Sequence, residues 1–245
     1  IYFEFLFYMS IKIKKATKDD LNGIYNLYRG EKSMEEIRWV LKNFEGSDLR
    51  SFIATDSSNN IIGHIGYVIS NYSYKNSLFK GLHNMMWIVN PKTRGGAGLK
   101  LFAENIKMAD FGFAIGASRF TKKLFPLIKY QHQFNIYHYF KFISPFSLVD
   151  DNQNEKICIE QVENFKFPIK NKYNGKDVFR SNPSENHLNW ILECPLVKSV
   201  GFRIKKNGET IGVAICYIKT RYKIFKTGRI VHISYLGDNN NLWYQ

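Results

Sequence analysis

The sequence predicts an α/β protein, a mixed and mostly antiparallel twisted sheet with helices on both faces, followed by a partial second unit of the same kind. Three observations predict it. Hydrophobic spacing alternates between strand-like and helical periods, giving the order β-α-α-β-β-β-α-β up to about residue 117. A glycine-rich turn, Asn90-Pro91-Lys92-Thr93-Arg94-Gly95-Gly96-Ala97-Gly98-Leu99-Lys100, joins an apolar strand to an apolar helix. After residue 155 a strand-helix-strand-strand-strand order begins again. Such alternation calls for a mixed sheet covered by helices.

In chain order, Ile11 and Ile13 alternate with Lys12 and Lys14 as a half-buried strand. Thr17-Lys18-Asp19-Asp20 caps a helix whose apolar face is Leu21, Ile24, Tyr25, Leu27 and Tyr28. Ser33-Met34-Glu35-Glu36 is a capping box that opens a second helix with Ile37, Val40, Leu41 and Phe44. Ser51 to Thr55 and Ile61 to Ile69 form a hairpin around a turn at Asp56 to Asn60. The strand Leu82 to Val89, the glycine-rich turn and a helix to about Asp110 follow. Then come a strand at Phe113 to Ala117, a short helix around Thr121 to Tyr130, and a strand at Ile136 to Ile143. Pro145 to Asn154 reads as a linker. Beyond it lie a strand at Lys156 to Val162, a helix opened by Asn182-Pro183-Ser184, and strands at Val200 to Ile204, Ile211 to Ile218 and Arg229 to Leu236.

The glycine-rich turn has the chemistry of a phosphate cradle. Glycines let backbone N–H groups approach a ligand closely, and the helix start adds unpaired donors and a positive dipole end. Arg94 and Lys100 add full positive charges. A P-loop would require Gly-Lys-Ser/Thr at the end of the turn, whereas Gly98 is followed by Leu99. A dinucleotide fingerprint would require an acidic residue ending the next strand, and Ala114 to Arg119 contains none.

The run Val89-Asn90-Pro91-Lys92-Thr93-Arg94-Gly95-Gly96-Ala97-Gly98 resembles the acyl-CoA motif V-x-P-x-x-[QR]-G-x-G-x-[GA] of GCN5-related N-acetyltransferases. It is one residue shorter than that pattern, and the element order resembles the same fold from residue 11 to about 145. The resemblance implies an acyltransferase domain at residues 11–145, an acetyl-CoA or other acyl-CoA co-substrate, and a small-molecule amine acceptor. It further implies that loop amides hold the CoA pyrophosphate, while the preceding strand splays from its neighbour, pairs with the pantetheine arm and offers a backbone N–H to the acyl carbonyl. The cofactor-binding residues it implies are Trp87, Ile88, Val89, Arg94, Gly95, Gly96, Ala97, Gly98, Leu99 and Lys100.

For the general base the candidates are His83, six residues before Val89 and on its face if the alternation is unbroken, then His64 and Asn84. Family members commonly carry a Tyr that protonates the leaving thiolate; here the position holds Phe125, so Tyr137 or Tyr139 is the candidate donor. A module that retains the pocket without turnover is the alternative.

Asn189-Trp190, Cys194-Pro195, Gly208-Glu209, Gly228-Arg229-Ile230-Val231 and Gly237-Asp238 resemble the second repeat of tandem acetyltransferase-like proteins encoded among bacterial surface-polysaccharide genes. That implies an amino sugar or its nucleotide-linked form as acceptor, and a partial second unit at 156–245 after a linker at 146–155. Residues 1–10 are expected to be a non-native or disordered extension.

Of the 245 residues, 44% are hydrophobic and 16% aromatic, which excludes a disordered chain. The formal net charge of +14 suits an anionic small molecule; the lysines are spread along the chain rather than gathered in a stripe, which argues against nucleic acid. Ile1 to Tyr8 is far shorter than the roughly 20 apolar residues that span a bilayer, so a cytoplasmic protein is expected. Cys158, Cys194 and Cys216 show no zinc spacing and are expected to be reduced core thiols, with no metal bound. Homo-oligomerisation is left open.

Overall fold

The structure, a computed structural model, describes residues 11–43, 48–75, 77–93, 96–115, 119–124, 126, 157–166, 180–221 and 225–235. The first sheet is ordered β1-β2-β3-β4-β5, from β1 (Lys12–Lys15), β2 (Ser51–Thr55), β3 (Ile61–Tyr74), β4 (Ser77–Val89) and β5 (Phe111–Phe113). All its neighbours are antiparallel except β4 and β5, which run parallel.

Between β1 and β2 lie α1 (Leu21–Leu27) and α2 (Met34–Leu41). Their starts are set by local hydrogen bonds: Thr17 N–H and Oγ1 donate to Asp20 Oδ2 at 2.9 and 3.1 Å, and Ser33 Oγ accepts from the Glu36 N–H at 3.0 Å. These helices pack Ile24, Tyr28, Ile37, Val40 and Leu41 against Ile53 on one face of the sheet. On the other face α3 (Ala97–Ile106) packs Ala97, Leu101 and Phe102 against Ala54, Ile62 and Ile65. A Cβ on Gly63 would stand 3.0 Å from Leu101 Cδ1, so the bare glycine lets α3 settle directly on β3. Helices on both faces agree with the fold class read from the sequence.

Three strands of the first sheet differ from expectation. β3 runs on to Tyr74 and β4 begins at Ser77, because the polar Ser70–Tyr74 stretch pairs with Ser77–Gly81 on one side and, through residues 71–73, with β7 (Arg180–Asn182) on the other. β5 is Phe111–Phe113 instead of Phe113 to Ala117; Asp110 starts it by donating its N–H to Lys80 O at 2.9 Å and accepting the Lys80 N–H on Oδ2 at 2.7 Å. After it, α4 (Arg119–Leu124) overlaps the start of the short helix expected around Thr121 to Tyr130. The expected strand at Ile136 to Ile143, the linker and residues 1–10 lie outside the described residues.

The second sheet is ordered β10-β9-β8-β6, all antiparallel, from β6 (Ile157–Val162), β8 (Ser199–Lys206), β9 (Glu209–Arg221) and β10 (Phe225–Tyr235). α5 (Glu185–Leu192) covers one face through Leu188, which packs with Phe165, Val213 and Ile215. Its start is capped by Ser184 Oγ, which accepts the His187 N–H. The register slips match those of the first sheet: β9 against β8 shifts near Ile204 as β3 against β2 shifts near Ala54, and β10 against β9 shifts between Ile230 and His232.

The two sheets meet through α5. Trp190 stacks on Trp39 of α2 at 4.8 Å between ring centroids, and each indole N–H donates to the other residue's carbonyl, at 2.8 and 2.7 Å. Lys42 and Glu193 form an ion pair across the same seam. The three cysteines are free, but Cys158 is exposed and the other two only half-buried, which corrects the expectation of core thiols: Cys158 lies on β6 at the edge of its sheet.

Candidate active site

The site is built on β4. His83 is its last rung against β5, pairing with Phe113; from Asn84 to Val89 it keeps β3 on one side and, among the described residues, has no strand on the other. Among the described residues, the two parallel strands therefore part after His83 and leave one edge of β4 without a partner strand.

The open stretch contains a bulge. Gly66 pairs with Met85 and His64 with Ile88, so β4 sets Met86 and Trp87 against the single residue Ile65. Met86 has φ +50°, a left-handed conformation that a long side chain rarely adopts. Its carbonyl turns toward α1, where it accepts from Tyr28 Oη at 2.5 Å and His64 Nδ1 at 3.0 Å; these two donors are themselves 3.0 Å apart. A carbonyl oxygen only accepts, so Nδ1 carries the ring proton. Burial keeps both side chains in their donating forms. It pushes the His64 pKa down to about 4, which leaves the imidazole neutral, and, with Glu31 and Glu36 nearby, it raises that of Tyr28 well above the usual phenol value. The peptide is planar and trans, so the Trp87 N–H points opposite to the Met86 carbonyl, away from α1.

The bulge breaks the alternation that would put His83 on the face of Val89. Val89 packs on the α3 side with Gly63 and Leu101, whereas His83 now lies on the opposite face, stacked on the Phe113 ring at 5.0 Å and 8°. Burial lowers its pKa, so its imidazole is neutral near pH 7. Asn84, next along, points to α3 and accepts from Asn105 Nδ2 at 2.5 Å. His64 is fully buried and is a packed, hydrogen-bonded residue rather than an exposed base.

Of the expected cofactor-binding residues, Trp87 lies against Phe102 at 5.6 Å, with its ring 3.6 Å from where a Gly98 Cβ would stand. Ile88 packs into the α1–α2 core and Val89 into the α3 core. Gly96 is the N-cap of α3 at φ +83°, and a Cβ there would meet nothing within 4 Å, so this residue is required for its backbone angle rather than for lack of room. Ala97 is fully buried in the core, while Leu99 and Lys100 are exposed, and the Lys100 N–H closes the first helical bond on Gly96 O at 3.0 Å. The turn before them is held by Asn90, whose N–H donates to Ile62 O at 2.8 Å and whose Oδ1 accepts the Lys92 N–H at 3.1 Å. Arg94, Gly95 and Tyr137 lie outside the described residues.

The open side of α3's first turn, with Gly96 in place of a capping side chain and Lys92 and Lys100 exposed beside it, fits an anionic group such as a pyrophosphate. No group of three or more possible metal ligands is found among the described residues, and no described helix is long and apolar enough to cross a membrane. Tyr28 is a site residue whose role the sequence alone does not show: its spacing marks it only as part of the apolar face of α1. The signal was its hydroxyl, which must find a partner when buried.

This chain has the fold of solved GCN5-related N-acetyltransferases. Solved structures match it over nearly all its length. A probable N-acyltransferase from Enterococcus faecalis is 11% identical with a TM-score of 0.59, and a GCN5-related N-acetyltransferase from Anabaena variabilis is 12% identical with a TM-score of 0.56. Each match covers 93% of this chain and 59% of the other, so the chain spans about three fifths of their length. A further likeness, to the Escherichia coli GNAT-family protein YhbS solved with CoA, covers 40% of this chain and 55% of that one at 24% identity and a TM-score of 0.31. No protein-family model matches the sequence, and no curated protein does.

Proposed function

We propose that this protein is an acyl-CoA-dependent N-acyltransferase that moves an acetyl or short acyl group onto an amine. The observation that carries the reading is the open edge of β4 from Asn84 to Val89, which runs from the parting of the strands to the uncapped start of α3. In this reading the first-turn amides of α3, with Lys92, Arg94, Gly95 and Lys100, hold the pyrophosphate, and the edge of β4 binds the pantetheine arm. The thioester supplies an activated acyl carbon: the amine nitrogen bonds to it, the carbon–sulfur bond breaks, and one proton passes from nitrogen to sulfur.

The neutral His83 imidazole stands where the strands part, and in this reading it takes the amine's proton; Asn84, on the opposite face and held by Asn105, braces β4 against α3 instead of meeting the same amine. Tyr137 is proposed to protonate the thiolate. The proposed acceptor is an amino sugar or a nucleotide-linked amino sugar, on the strength of the sequence resemblance. Residues 156–245 are proposed to be a partial second unit of the same fold; their repeated strand order and register slips support this.

The test is calorimetric titration of acetyl-CoA into the full chain and its Gly96→Asp variant. The new side chain meets no neighbouring atom, so the left-handed backbone angle is its main cost and the variant should fold, while its carboxylate repels a pyrophosphate. Micromolar binding in the parent, weakened at least about tenfold in the variant, is expected, tenfold being ~1.4 kcal/mol. No binding by the folded parent would remove the proposal.

A further inference from the structure

The Met86 carbonyl is held by two side chains from different parts of the chain, one at the end of α1 and one on β3. Neither Tyr28 nor His64 faces the open edge of β4: Tyr28 is 4% exposed and His64 fully buried. They cannot touch an acyl group there. Yet a long side chain does not adopt φ +50° without support, because that backbone angle crowds its Cβ against the following carbonyl. Two donors on one carbonyl are enough to offset that crowding.

We infer that Tyr28 and His64 are positioning residues of the acyl-transfer site: by drawing the Met86 carbonyl toward α1 they turn the Trp87 N–H to the opposite side and fix it as the donor to the acyl carbonyl. This rests on the acyl-CoA reading above and adds to it the side chains that set the donor's direction. The mechanical link is one rigid peptide unit. Rotating the Met86 carbonyl in one direction rotates the Trp87 N–H in the other, so whatever fixes the first fixes the second. A donor that is already aimed needs no reorganisation as negative charge gathers on the carbonyl oxygen. His64 Nε2, buried without a hydrogen-bond partner among the described residues, agrees with an imidazole kept for its Nδ1 donor alone.

The experiment uses the full chain and acetyl-CoA carrying a carbon-13 label at the thioester carbonyl. Infrared difference spectra compare the carbonyl stretch free, bound to the parent protein and bound to Tyr28→Phe, which deletes one donor while keeping the ring. In the parent the stretch should move to lower frequency on binding. In the variant that shift should shrink by roughly half, with the acetyl-CoA Kd within about twofold and, in turnover with an accepted amine, kcat reduced about tenfold at unchanged KM. A purely structural role for Tyr28 would change folding stability and leave the carbonyl frequency alone.

A second measurement needs no variant: the Trp87 amide proton, followed by NMR, should move downfield with acetyl-CoA and not with CoA. Equal carbonyl frequencies in parent and variant, or a Trp87 amide indifferent to the acetyl group, would overturn the positioning role while acyl-CoA binding stood. Absence of any acetyl-CoA binding by the folded parent would overturn both readings together.

Discussion

Replacing Trp190 with Ala tests how the two sheets are joined. Trp190 is 6% exposed, carries the Arg50 guanidinium 4.4 Å above its ring, and makes the stack and both indole–carbonyl hydrogen bonds with Trp39. Trp190→Ala should cost about 3–5 kcal/mol, in the range for a buried aromatic. Trp39→Ala should cost less, because Trp39 is only half-buried. The informative quantity is the coupling between the two. The stack contributes about 1 kcal/mol, so the double variant should be about 1 kcal/mol more stable than the sum of the single losses implies; each indole–carbonyl hydrogen bond cancels, because the accepting backbone carbonyl survives truncation of its own side chain. The Arg50 contact drops out of that difference, since it is lost wherever Trp190 is lost. Urea unfolding followed by circular dichroism gives the four free energies. A coupling below about 0.5 kcal/mol would mean that the two indoles do not touch in solution and that α5 is not the joint between the sheets.

Three further outcomes are expected. His64, His187 and His232 each have pKa values pushed down to about 4 by burial, below the ordinary value of 6.5, so the unfolded chain takes up more protons between those limits. Stability should therefore be full above pH 6.5 and fall as the pH drops toward 4, by about 3 kcal/mol from His64 alone. Urea midpoints that stay flat across that window, or a His64→Gln variant as acid-sensitive as the parent, would contradict this. Gly96→Ala should cost about 1–2 kcal/mol from its left-handed angle alone, and Gly96→Asn visibly less, because no neighbouring atom obstructs either side chain; equal losses, measured by thermal unfolding, would point to a clash instead. Ile230→Lys, at a side chain 65% exposed on β10, should change stability by no more than about 0.5 kcal/mol; a loss above 1 kcal/mol in urea unfolding would show that this face is covered in solution.

How much of this was legible in the sequence depended on the range of the interaction. The Thr17 and Ser33 caps, the apolar stripe of α2 and the turn at Asp56 are encoded by residues two to four apart, and they appear where the spacing puts them. The strand–turn–helix order around Gly96 was legible for the same reason. The extension of β3 to Tyr74 was not, because a polar stretch becomes a strand only when partners reach it, and one of these, β7, lies more than a hundred residues away. The short β5 was misread for the opposite reason: an apolar run suggests a strand, but pairing ends it at Phe113.

The site shows the same division more sharply. Period-two alternation carried the sequence reading from Val89 back to His83, and one extra residue in β4 was enough to send them to opposite faces. Nothing in Met85-Met86-Trp87 announces that bulge. It depends on a phenol at the end of α1 and an imidazole on β3 converging on one carbonyl, which takes the fold to bring about. His64 could be named from sequence as a residue with chemistry, and Tyr28 as one with an apolar role; only their shared acceptor reveals what each does. A glycine-led turn can thus be found by its spelling, whereas the direction of the Met86–Trp87 peptide is set by side chains of Tyr28 and His64 that only the fold brings to it.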